Sequence, residues 1–115
     1  MLSAMDSKVT TGRAAEQAAA EYLLNLGYTI ITRNYQIRGG EIDLIALDGD
    51  ELVFVEVRWR ADDLAEESIS IRKSESMRRT IQTYMREMND IRDYRCDLIA
   101  LSPVELRHHK NFLSS

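Results

Sequence analysis

Residues 39–60 read GGEIDLIALDGDELVFVEVRWR, and this stretch decides the fold. Two runs of strand-forming residues flank Gly49-Asp50, the signature of a tight hairpin with glycine first, as a type II′ turn prefers. Side chains alternate across a strand. In the first run Glu41, Asp43, Ile45 and Leu47 therefore share one face, and Ile42, Leu44 and Ala46 the other. In the second run Leu52, Phe54, Glu56, Arg58 and Arg60 share a face, while Val53, Val55, Val57 and Trp59 form an apolar one.

The turn fixes the register. A two-residue loop pairs Asp48 with Glu51, and counting back from that pair sets Asp43 opposite Glu56. A four-residue loop from Asp48 to Glu51 gives the same pairing, whereas a three-residue loop would send the two carboxylates to opposite faces. In the paired register their Cβ atoms stand about 5 Å apart. Carboxylates that close repel unless one holds a proton or a cation lies between them, and oxygen ligands of this kind suit magnesium or manganese. A solvated acid pair on a hairpin face is the commonplace alternative. The apolar neighbours Ile45, Leu47, Leu52 and Phe54 instead mark a central strand covered on both faces, where a carboxylate needs a partner. Arg58, two residues beyond Glu56, is placed to be that partner or a catalytic cation. On spacing alone both readings stand.

The 115 residues make one domain with enough core to fold alone, and 44% hydrophobic against 30% charged residues excludes a disordered chain. No apolar run approaches the length of a membrane span, and no signal-peptide core is present at the start. A single cysteine, Cys96, rules out an internal disulfide and fits a reducing cytoplasm. Cys96, His108 and His109 have no zinc-ligand spacing. The net charge of −4 sits awkwardly with a nucleic-acid partner, since phosphate contacts dominate such binding. Charge is unevenly spread, however: Asp62, Asp63, Glu66 and Glu67 are clustered, and Arg72, Lys73, Arg78, Arg79 and Arg86 give the following helix a basic face.

Residues 1–9 lack periodicity and are expected to form a flexible tail ahead of a single domain spanning 10–115. Thr10 or Thr11 can cap a helix running to about Asn25, its buried stripe formed by Ala15, Ala18, Ala19, Tyr22, Leu23 and Leu26. Glu16 borders that stripe and can point into a site beneath the helix. Tyr28–Tyr35 reads as the first strand, and 62–68 as a polar, mobile loop. A second helix is expected from about Ser70 to Asn89, with Met77, Ile81, Tyr84, Met85 and Met88 on one face. Arg72 and Lys73 in its first turn oppose the helix dipole, which leaves room for a functional use of Lys73. A last strand, Tyr94–Leu101, follows this crossover and is expected to add in parallel, with 104–113 either an edge strand or a short helix.

The strings GRAAEQAAAEYLLNLGY, RNYQIRGGEIDLIALDGDELVFVEVRWR and YRCDLIAL, together with Lys73, resemble the YraN-like family of bacterial proteins over residues 12–101, and GEID followed by FVEV is the most specific part. The resemblance implies a restriction-endonuclease-like α/β/α sandwich, a central mixed sheet of four or five strands flanked by helices, within the PD-(D/E)xK nuclease superfamily that includes archaeal Holliday-junction resolvases. It implies Asp43 and Glu56 as the motif's two acids, with the Val57 carbonyl completing a magnesium or manganese site and Glu16 contributed by the first helix. The expected activity is hydrolysis of DNA phosphodiester bonds, on branched, structured or single-stranded substrates. A homodimer is expected by analogy with the resolvases. One departure stands out: Arg58 occupies the place of the motif lysine. Arginine keeps a fixed charge and clamps phosphate but does not shuttle protons, so Lys73 is the candidate to take over that role. A catalytically inactive nucleic-acid-binding or adaptor domain that keeps the fold is the alternative, and a protein-interaction role is a third.

Overall fold

The computed structural model describes residues 8–113. A first helix, α1 (Lys8–Asn25), leads into three antiparallel strands, β1 (Thr29–Ile37), β2 (Gly40–Asp48) and β3 (Glu51–Trp59). After a 3₁₀ turn at Ala65–Ser68, the helix α2 (Ile71–Glu87) crosses over to β4 (Tyr94–Leu101), which runs parallel to β3, and β5 (Leu106–His109) closes the sheet antiparallel to β4. The strand order is 1-2-3-4-5, so the mixed sheet has β3 at its centre and β1 and β5 at its edges. The ambiguous segment after Pro103 is thus an edge strand. Among the described residues no helix is long and apolar enough to cross a membrane.

Two apolar layers sandwich the sheet. Ala15, Ala19, Ala20 and Leu23 of α1 pack on Leu44, Ala46, Val53, Val55, Ile99 and Leu101. On the other side Met77, Ile81 and Tyr84 of α2 pack on Ile45, Leu52, Phe54 and Cys96. The alternating faces expected of the central hairpin therefore each receive a helix, and Trp59 packs at the border of the α1 layer. Small alanines let α1 approach the sheet closely. Two residues assigned to the helix stripes fall outside them: Leu26 follows the end of α1 and Met88 the end of α2, and both are half exposed.

The turn at Gly49-Asp50 behaves as expected. Asp48 pairs with Glu51, Gly49 has φ +62°, and Asp50 keeps an ordinary negative φ. Ser70 caps α2, its Oγ accepting from the Lys73 N–H at 3.0 Å. α1 starts at Lys8, ahead of the threonines expected to cap it. The tail expected over residues 1–9 lies, through residue 7, outside the described residues. The 62–68 segment is pinned rather than loose: Ala65 is buried, and Arg107 of β5 donates to Glu66 at 2.6 Å and to Asp63 at 2.8 Å.

Two irregularities interrupt the sheet, a bulge between Ile30 and Thr32 of β1 and a break around Asp43. The β2–β3 ladder stops at Leu44↔Val55, and the β1–β2 ladder skips the pair Asn34↔Asp43 between Arg33↔Leu44 and Tyr35↔Ile42. Asn34 has φ +56°, a left-handed conformation that asparagine tolerates better than most residues. Beyond this point alternation fails, because Ile42 packs in the α2 layer with Ile45 instead of with Leu44 and Ala46. β2 rolls over at Asp43.

Candidate active site

That roll sets the geometry of the acidic centre. The Asp43 carboxylate enters the gap left by the missing rungs and accepts the Val57 N–H at 2.8 Å. A strand residue's N–H and C=O point to the same side, so the Val57 carbonyl faces this gap too. The side chain lies in the plane of the sheet and is reached from both layers. Glu16 of α1 brings its carboxyl against it from one side, with the Asn34 amide holding Glu16. Glu56 meets it from β3, within hydrogen-bonding contact.

Glu56 is the anomaly in this group. It is 3% exposed, and its Oε1 is buried without any hydrogen-bond partner. Its Oε2 has two cations nearby: Arg58 Nε at 2.9 Å and Lys73 Nζ at 3.6 Å. The Arg58 Nε–H is not aligned on that oxygen, so the contact is one of charge rather than a hydrogen bond. Burial, reinforced by the Asp43 charge, pushes Glu56 up to about 7 against the pull of Lys73 and Arg58. Asp43 is also raised, chiefly by burial, while the Val57 N–H opposes the shift. Glu16 is raised by burial first, then by Asp43 and Glu41. Asp43 and Glu56 are thus both held above the ordinary carboxylate range, burial being the first cause in each.

All six residues singled out in the sequence thus converge: Asp43, Glu56, Val57, Arg58, Glu16 and Lys73. Lys73 reaches the centre because Ser70 starts α2 one turn short of Glu56 and aims the side chain at the sheet. The expected basic face of α2 splits as a result. Lys73 turns inward, and Arg78 donates to the Leu113 carbonyl at 2.6 Å on another flank. Two residues of the centre carry no strong sequence signal. Asn34 is one, and the only hint is an asparagine in the middle of a β-branched strand. Glu41 is the other; it shares the Asp43 face in GEID but reads as a solvated acid.

The donor set fits a hard divalent cation. Among the described residues no group of three or more His, Cys, Asp or Glu side chains is arranged to hold a metal ion by itself. The centre offers two carboxylates and a carbonyl, with Glu16 bearing on Asp43, and magnesium characteristically completes such a partial set with water and substrate phosphate. An orphaned, buried Glu56 Oε1 is the atom that such a cation would satisfy.

The model of the uncharacterised protein family UPF0102 matches residues 15–101, a span that holds every residue of this centre. A protein of Carboxydothermus hydrogenoformans is 47% identical over 79 residues, covering 66% of this chain and 67% of its own length. One from Chloroflexus aurantiacus is 45% identical over 93 residues, covering 79% and 78%. A third, from Herpetosiphon aurantiacus, is 41% identical over 105 residues, covering 84% and 85%. Each is named UPF0102 protein.

Proposed function

The chain belongs to the uncharacterised protein family UPF0102, the YraN-like family its motifs resemble, and from the geometry of its acidic centre we propose that it is a metal-dependent nuclease hydrolysing phosphodiester bonds in DNA. The observation that carries this reading is half-buried Asp43 beside buried Glu56, with one unsatisfied Glu56 oxygen and raised proton affinity in both. Arg58 and Lys73 bear on Glu56 Oε2 and leave Oε1 without a partner, which a bound cation would supply.

Asp43, Glu56 and the Val57 carbonyl would hold magnesium or manganese, with Glu16 supporting directly or through water. When bound, the ion supplies Lewis-acid polarisation of the phosphate and a water more acidic than bulk. Hydrolysis forms a bond from the water oxygen to phosphorus and breaks one ester P–O bond, the leaving oxygen taking up a proton. Lys73 presents a compact ammonium beside Glu56, suited to orienting that water and countering charge that grows on the phosphate. Arg58 supplies a fixed charge that clamps a non-bridging oxygen. The motif position and the lysine are thus separated in sequence but close in space, because α2 delivers what β3 lacks.

A labelled-DNA cleavage assay on single-stranded, duplex and branched substrates, with magnesium and separately with manganese, tests the proposal. Wild type is expected to cut and Asp43→Ala to be inactive; Lys73→Met is expected to lose on the order of 100-fold in kcat, and Arg58→Lys to keep most activity. Absence of metal-dependent cutting above the Asp43→Ala background sinks the nuclease reading. Arg58 in the lysine's place favours one second reading: a domain that binds nucleic acid without cutting it. The same assay run as a binding titration separates the two.

A further inference from the structure

The cations of this acidic protein are of two kinds. Arg60, Arg92, Arg95 and Arg107 each pair with one or more carboxylates. Arg72, Arg79 and Arg86 are exposed and have no carboxylate partner among the described residues. These three stand at positions i, i+7 and i+14 of α2, which places them on one side of the helix at intervals of about 10 Å, along a line of roughly 20 Å. Ser76 and Arg79 both donate to the Gly39 carbonyl, at 2.9 and 3.3 Å, and so fix the tip of the β1–β2 turn beside this row. Gly40 is the reason the turn can come so close: a Cβ there would lie 2.0 Å from Thr80 Oγ1. Arg38, exposed at that tip, adds a fourth cation with no carboxylate partner among the described residues. The row begins at Arg72, next to the Lys73 that reaches into the acidic centre.

We propose that Arg72, Arg79, Arg86 and Arg38 form a phosphate track that carries duplex DNA across α2 into the Asp43–Glu56 centre, an inference that rests on the nuclease reading for its direction but not for its binding. Arg13, Arg33 and Lys110 are also exposed without a carboxylate partner among the described residues, but they are scattered, whereas the α2 arginines stand in a row on one helix. Unpaired cations at regular intervals suit a polyanion of regular pitch, and guanidinium groups suit phosphate oxygens. The duplex is favoured over a single strand because the row has one aromatic face beside it rather than a series of them. Single-strand binders interleave basic groups with several aromatic faces, whereas among the described residues the one exposed aromatic is Tyr94, whose hydroxyl accepts from Gln82 between Arg79 and Arg86. Contacts made only to the backbone also imply little sequence preference.

The test measures binding by fluorescence anisotropy in EDTA, where no metal supports cutting, on a labelled 20-bp duplex and on oligo-dT of equal length, from low to moderate salt. Arg72→Ala/Arg79→Ala/Arg86→Ala is expected to flatten the log K against log salt slope by about 2–3, close to 0.9 for each phosphate contact removed. The corresponding triple Arg→Lys variant is expected to retain the slope, and Arg92→Ala, which removes a paired arginine, to leave it unchanged. An unaltered slope in the alanine triple variant overturns the track, and equal or tighter binding of oligo-dT overturns the duplex assignment. The two proposals fail separately. Salt-sensitive binding lost in the alanine triple variant, without cutting in any metal, keeps the track and removes the nuclease. Cutting by that variant with an unchanged KM keeps the nuclease and removes the track.

Discussion

Two buried carboxylates on neighbouring strands have opposite fates. Asp97 of β4 is register partner to Val55 and faces α1; Glu56 of β3 faces α2. Asp97 is fully buried, yet its carboxyl is held below the usual range. Burial alone would raise it, but His108 Nε2 at 2.8 Å, Arg95 Nε at 3.0 Å and the Asn111 N–H at 2.9 Å outweigh that. Arg95 in turn reaches Asp48, Glu51 and the Tyr28 hydroxyl, and His108 meets the Tyr22 hydroxyl at 3.0 Å. Every polar atom around Asp97 has a partner, and the knot ties α1, the central hairpin, β4 and β5 together. Glu56 is about as buried but has an orphaned oxygen, an acidic neighbour and a raised affinity for protons. Burial does not distinguish these two carboxylates; the supply of donors does.

The contrast breaks if removing the Asp97 charge is harmless. Asp97→Asn keeps the shape and removes the charge facing Arg95 and His108 in the interior, where breaking a buried pair costs about 3–5 kcal/mol. Arg95 keeps Asp48 and Glu51, which sets the expected loss at the lower end of that range. Urea unfolding at pH 7 is expected to show a loss of that size, and a loss under about 1 kcal/mol would reduce the knot to decoration.

The opposite sign is expected at Glu56. Its folded-state affinity for protons exceeds that of the unfolded chain, so between the ordinary 4.5 and about 7 the native state holds a proton that the unfolded state has released. The penalty is absent below that window, grows as pH rises through it, and is complete above about pH 7. Glu56→Gln without metal is therefore expected to stabilise the protein at pH 8 by up to about 3 kcal/mol and to change little at pH 4. Asp97 behaves in reverse: the stability it confers is present above the usual carboxylate value and lost as pH falls below it. A destabilised Glu56→Gln at pH 8 would make both carboxylates structural.

Magnesium or manganese sharpens the distinction. At pH 8 a cation satisfying Asp43 and Glu56 is expected to raise wild-type stability by about 2.7 kcal/mol at a hundredfold excess over its Kd, read as a rise in Tm. Glu56→Gln and Asp43→Asn are expected to lose this rise, and calorimetry on wild type would give the Kd directly. An equal rise in all three proteins would place the ion elsewhere.

Much of this was legible in the sequence, for a physical reason. The hairpin's register follows from one tight turn and period-two alternation as far as Leu44↔Val55, so GGEIDLIALDGDELVFVEVRWR alone brings Asp43 near Glu56 and puts β3 at the centre. The roll that turns Asp43 out of the expected shared face does not show in it. What could not be read depends on the path of the chain through space. Lys73, 17 residues beyond Glu56, meets it only because a crossover helix starts where it does. Asp97 is concealed in YRCDLIAL, where its satisfaction depends on an arginine two residues away, a histidine on the last strand and a backbone N–H beyond it. The acidic segment 62–68 reads as a loop for the same reason, since Arg107 and His109, which pin it, lie some 40 residues on. Asn34 is hidden differently: its left-handed backbone is a response to the roll of β2, and propensity assigns it to an ordinary strand.

The smallest expected effect asks which cation belongs to the acidic centre. Lys73 and Arg58 both oppose the forces, burial first and Asp43 second, that raise Glu56, and Lys73 is the stronger of the two although Arg58 is nearer. An ammonium about a quarter exposed is partly screened by water, so its removal is expected to be worth roughly 0.5–1 kcal/mol. In the stability difference between wild type and Glu56→Gln, the midpoint of the pH dependence is then expected to move upward by about half a pH unit in Lys73→Met and by less in Arg58→Met. A larger shift in Arg58→Met would return the electrostatic role to the motif position on β3, leaving Lys73 a bystander. A shift led by Lys73 would show that α2 supplies the effective charge, which is the property a lysine needs in order to act on a phosphate held beside Glu56.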